Sequence, residues 1–69
     1  MDNEIAVRDF YGRIIGWIET KPNGDKIVRD FYKRVLGRYE KSTDTTRDFY
    51  GRVIARGDNT GLLLSIKNS

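Results

Sequence analysis

Three near-copies of one octapeptide constrain this chain more than anything else in it. They read Arg8-Asp9-Phe10-Tyr11-Gly12-Arg13-Ile14-Ile15, Arg29-Asp30-Phe31-Tyr32-Lys33-Arg34-Val35-Leu36 and Arg47-Asp48-Phe49-Tyr50-Gly51-Arg52-Val53-Ile54. A small residue closes each copy: Gly16, Gly37 and Ala55. The copies hold all three phenylalanines and three of the four tyrosines. They begin at 8, 29 and 47, which spaces them by 21 and 18 residues. A period near twenty marks a repeat architecture, in which copies of one small unit bury each other's apolar faces.

The unit reads as a β-hairpin. Ile5 and Val7 share one face of a first strand, and Ile14 to Glu19 resumes with β-branched and aromatic residues after a short glycine-containing break. With Gly12-Arg13 at the turn centre, Tyr11 opposes Ile14, Phe10 opposes Ile15 and Val7 opposes Ile18; a Tyr11-Gly12 turn, which would set Phe10 against Arg13, is the rival register. Lys33 stands where the other copies have glycine, and a positive φ there costs it about 1 kcal/mol; a wider loop is the alternative. Lys21-Pro22-Asn23-Gly24-Asp25-Lys26 is a clear turn, because proline presets φ and Asn-Gly accepts positive φ. The link Glu40 to Thr46 absorbs the difference in spacing, and Arg56 to Gly61 reads as a further turn. No stretch has helical periodicity. The expectation is an all-β fold in a single domain over 1–69, made of three tandem hairpin repeats (about 5–18, 26–39 and 44–57). Leu62–Lys67 is expected as an additional C-terminal strand.

Sixty-nine residues bury little surface, and no cysteine is present to staple them. The absence of histidine removes the usual general base and the commonest metal ligand. Ser42, Ser65 and Ser69 therefore have nothing to activate them. Each repeat aspartate lies between arginines that keep it ionised and unsuited to acid catalysis. No enzyme, cofactor or metal is expected. An acidic start without a long apolar run argues against a signal peptide, and Leu62-Leu63-Leu64 is too short to cross a membrane. The expectation is a soluble, cytoplasmic protein with a mild net charge of +3.

Candidate interaction residues come from the repeats. Arg8, Arg13, Arg29, Arg34, Arg47 and Arg52 either pair with Asp9, Asp30 and Asp48 to pin register, or form an array for phosphate or carboxylate. The phenylalanines and tyrosines are expected to form the core, since few other large groups exist; exposed rings beside arginines would instead stack unpaired bases. Trp17 and Tyr39 break the repeat and are candidates for a partner-facing surface, with the core as the alternative. Leu62, Leu63, Leu64 and Ile66 form an apolar tail expected at a homodimer interface, a two-fold dimer being the commonest closed assembly; the alternative is that it returns to pair with the first strand near Ile5 and Val7 and closes the monomer. The leading function is a non-enzymatic structural or protein-interaction module that self-associates. The alternative is a single-stranded nucleic-acid-binding protein using the Arg-aromatic patches.

The unit Phe10-Tyr11-Gly12-Arg13-Ile14-Ile15-Gly16-Trp17-Ile18 and its echoes resemble small bacterial proteins built from DFYGR-type repeats. They are also similar to the hairpin repeats of β-flower proteins. The resemblance covers about residues 5–57. It implies either hairpins arrayed about a pseudo-rotation axis or a related meander, and it brings no catalytic residues with it.

Overall fold

A computed structural model describes residues 3–67, with side chains through Leu64. Six strands follow one another: β1 (Asn3–Arg8), β2 (Ile14–Thr20), β3 (Lys26–Asp30), β4 (Val35–Glu40), β5 (Thr45–Asp48) and β6 (Val53–Arg56). They form one antiparallel sheet in the order β1-β2-β3-β4-β5-β6, an open meander with β1 and β6 at its edges. All three hairpin repeats are present, and their turns lie at the same end of the sheet. The sheet stays open, and the repeats succeed one another across it instead of circling an axis.

Leu62–Lys67, expected as a strand, belongs to a helix, α1 (Thr60–Lys67). Leucine is a strong helix former. A further strand would only have widened a sheet whose apolar face still needed a cover, and a second layer is what buries that face. The helix lies over β2, β3 and β4, where Leu63, Leu64 and Val28 form the core, with Val7, Ile15, Ile18, Leu36 and Ile54 packed around them. The connection to it is pinned. Thr46, fully buried, donates its hydroxyl to the Gly57 carbonyl at 2.8 Å and accepts the Asn59 N–H at 2.9 Å. The Asp58 carboxylate accepts the Thr60 hydroxyl at the start of α1 and pairs with Lys26.

The register differs from expectation. Ile5 opposes Ile18, Val7 opposes Gly16 and Arg8 opposes Ile14, so Ile15 is an extra residue on β2. Leu36 and Ile54 are extra in the same way on β4 and β6. Such a bulge lets two consecutive residues lean toward one face. That explains the aliphatic-small ending of each copy: Ile15 and Leu36 fill the space beneath the helix, while Gly16 and Gly37 admit it. A Cβ on Gly16 would fall 2.5 Å from the Arg29 carbonyl oxygen and closer still to Leu64 Cδ2. One on Gly37 would press on the Arg47 carbonyl and lie 2.8 Å from Leu63 Cδ1. Neither backbone oxygen can retreat without breaking strand pairing. The third copy has Ala55, on β6, where no further strand follows.

These sockets predict an asymmetry between the copies. Gly16→Ala and Gly37→Ala should each cost about 1–3 kcal/mol through overpacking. Ala55→Gly should cost no more than about 1 kcal/mol, the ordinary penalty for glycine in a strand. Urea denaturation monitored by circular dichroism measures all three.

Candidate functional site

The repeated turns carry the chemistry, and each is built around its aspartate. In the first, the Asp9 N–H donates to the Arg13 carbonyl at 2.9 Å and the Gly12 N–H donates to the Asp9 carbonyl at 3.0 Å. Asp30 and Asp48 repeat both bonds with Arg34 and Lys33, and with Arg52 and Gly51. The loop is therefore Phe10-Tyr11-Gly12, with Asp9 opposite Arg13, and it matches neither the Gly12-Arg13 nor the Tyr11-Gly12 centre expected. A three-residue loop of this type needs a left-handed residue at its third position. Gly12 and Gly51 adopt φ of 80° and 86°, and Lys33 is held at 72°.

The carboxylates fix this loop from inside. Asp9 Oδ1 accepts the N–H groups of Tyr11 and Arg13 at 2.9 and 3.0 Å, and Oδ2 accepts Arg13 Nε at 3.0 Å. Asp30 and Asp48 do the same with Tyr32 and Arg34, and with Tyr50 and Arg52. The backbone N–H of Arg13, and likewise that of Arg52, does most to hold Asp9 and Asp48 below the ordinary 3.8. Burial alone would raise Asp30, which is 3% exposed, but the Arg34 backbone and guanidinium outweigh it, and its pKa is lowered too.

With the aspartate turned inward, the two residues after it turn out. Phe10 is 96% exposed, Phe31 55% and Phe49 62%, and Tyr11, Tyr32 and Tyr50 are more than 70% exposed. The aromatic core expected from the sequence is thus a set of six rings in solvent. Each Phe–Tyr pair stacks edge to face with centroids 5.3–5.5 Å apart. A guanidinium lies 5.2–5.6 Å from each tyrosine ring: Arg13, Arg34 and Arg52 in turn. Strands about 4.8 Å apart place successive tips about 10 Å apart in a row. Two shallow clefts flank the third tip. One of about 310 Å³ lies among Leu36, Phe49, Tyr50, Ile54 and Leu63, and another sets Arg34 and Val35 against Phe49 and Tyr50.

The other candidates fall elsewhere. Arg29 pairs with Glu19 at 2.6 Å, and Arg47 Nε lies 2.9 Å from Glu40 Oε1. Arg8 Nη1 donates to the Gly12 carbonyl at 2.8 Å. Five of the six repeat arginines are thus ion-paired within the chain. Trp17 lies half-buried on the face away from α1, under Lys33, whose Nζ is 3.8 Å from the ring centroid and 2.6 Å from Glu4. That clasp joins the second repeat to the first and offsets the strained φ of Lys33. Tyr39 is buried, and its hydroxyl donates to Asp44 at 2.6 Å, a bond that pushes its pKa up to about 12. Leu63 and Leu64 are committed to their own chain's core; Leu62 is exposed, and the Ile66 side chain lies outside those described.

Among the described residues, no group of His, Cys, Asp or Glu could hold a metal ion, and no helix is long and apolar enough to cross a membrane. Comparison with family models, curated proteins and solved structures returned no match for this chain.

The lowered aspartate values fix the sign of an acid effect. Each carboxylate binds protons less readily folded than unfolded. Its contribution is complete above the ordinary 3.8 and is lost as pH falls through the lower folded value. Stability should therefore fall below about pH 4. Asp30→Asn should cost about 1–3 kcal/mol, because an amide at the buried site turns a donor toward Arg34 Nε. Asp9→Asn should cost less, its carboxylate being more accessible. Chemical denaturation from pH 3 to 7 checks both.

Proposed function

We propose that this chain is a non-enzymatic protein-interaction module that engages its partner through the row of Phe-Tyr tips. The observation that carries this reading is the exposure of six aromatic rings in a chain where, among the described residues, the buried apolar ones are Val28, Tyr39, Leu63 and Leu64. Soluble monomers rarely leave so much contiguous apolar surface in water unless it is used. Tyrosine, phenylalanine and arginine are the residues enriched at protein interfaces, and rigid rings lose little entropy on binding. The clefts beside Phe49 and Tyr50 accept apolar side chains, and the flanking guanidiniums suit an acidic rim.

Exposed rings beside arginines also favour the second reading, a single-stranded nucleic-acid binder that stacks bases on the tips. It is the weaker of the two, because Arg13, Arg34 and Arg52 already serve their own aspartates and Arg29 and Arg47 serve glutamates.

The two readings part in one experiment. A variant carrying Tyr11→Ser, Tyr32→Ser and Tyr50→Ser should fold as the parent does, since all three rings are exposed. Affinity capture from the native host with parent and variant should recover a protein that the variant loses. Identical captures would count against the tip row. Micromolar binding of an oligothymidylate that weakens steeply with salt would move the assignment to nucleic acid.

A further inference from the structure

The two edges of the sheet are not equivalent. On β6, the position that pairs with a following repeat carries Ala55. In the preceding repeats that position is glycine, because the carbonyl of the next strand's arginine comes within 2.5 Å of any Cβ placed there. A further copy of this chain arriving at β6 would present Arg8 in the place of Arg29 or Arg47, and its carbonyl would meet the Ala55 methyl. Head-to-tail growth of the sheet is thereby obstructed.

The β1 edge has no such obstacle. The Asp9 N–H points toward β2. The extra residue of the bulge sits on β2, so β1 alternates regularly and the backbone groups of Glu4, Ala6 and Arg8 point away from the sheet. Ile5, on the face covered by α1, is 60% exposed at this edge.

From these features we infer that two copies of the chain associate through β1, antiparallel, about a two-fold axis passing at Ala6. In that register Glu4 opposes Arg8 of the second copy on both sides of the axis. Ile5 opposes Val7 and is covered, and Ala6 meets its own counterpart with no side chain large enough to interfere. The outward N–H and C=O groups of Glu4, Ala6 and Arg8 complete a ladder between the copies. Glu4 already meets Lys33, and Arg8 already donates to Gly12. A carboxylate with two oxygens and a guanidinium with five donors accommodate the added partner. Opposite charges facing each other across an antiparallel pair favour that register, and like charges there disfavour it. The axis stands normal to the sheet, so both helices lie on one face. The association closes at two copies, as isologous interfaces do.

This inference goes beyond the proposed function, giving the self-association expected from the sequence a specific interface that is independent of the aromatic tips. Its test is the mass of the full chain in solution by sedimentation equilibrium at high micromolar concentration. The parent chain should be a dimer. Glu4→Arg alone and Arg8→Glu alone should each shift it to monomer by at least tenfold in dissociation constant, because each places like charges across the axis. An equimolar mixture of the two variants should recover a dimer, since it sets opposite charges at both crossings. Circular dichroism confirms that each variant is folded. Ala6→Pro, which removes an outward N–H that the isolated sheet does not use, should give a folded monomer. A monomeric parent would overturn self-association itself. A dimer that persists in both charge variants, or is not restored on mixing, would overturn the β1 interface while leaving self-association standing.

Discussion

Each repeat depends on one carboxylate that accepts two backbone N–H groups and a guanidinium. Such an arrangement is a fixed negative charge at the mouth of a hairpin, and every later feature of the repeat follows from where it sits. It closes the loop over Phe, Tyr and one left-handed residue. It sets the register in which Val7, Val28 and Thr46 face the small residue of the returning strand. It also holds the arginine that lies beside the tyrosine ring. Charge-assisted bonds to backbone N–H groups are among the stronger hydrogen bonds available. Three of them in equivalent places let a chain with a small core hold a defined sheet.

The second layer follows from the register. A bulge in the returning strand sends an aliphatic and a small residue to the same face. On β2 and β4 the small residue is glycine because the helix and the neighbouring carbonyl both press on it. The helix therefore seats in sockets that the repeat supplies twice, and Leu63 and Leu64 are held in the core. Because the core forms without the repeat aromatics, those rings lie in solvent, and the tips become a surface instead of an interior.

Much of this was legible in the sequence. The repeat spacing, the alternation in Ile5-Ala6-Val7 and the Asn23-Gly24 turn specified three consecutive hairpins. The tip residues were also legible as a set, since Arg, Asp, Phe and Tyr recur together. What misled was the assumption that large apolar rings must be buried in a small chain. The signal that corrects it is the aspartate before each pair: a side chain that caps its own turn makes the next two residues loop residues, whatever their hydrophobicity. Leu62-Leu63-Leu64 misled for a different reason. A run of that length reads equally as a strand or as a helix face, and only the uncovered sheet face decides between them. Trp17 and Lys33 could not be paired from the sequence, because their contact joins two repeats.

The account stands on the aspartates turning inward and the rings turning out. Dye-sensitised photo-polarisation of tyrosine protons by NMR reads this directly, since only rings that meet the dye respond. Tyr11, Tyr32 and Tyr50 should give strong signals in the folded protein and Tyr39 none, its hydroxyl being held by Asp44. Silent repeat tyrosines alongside a responsive Tyr39 would contradict the account, because the rings would then form the interior and the turns would need a different anchor.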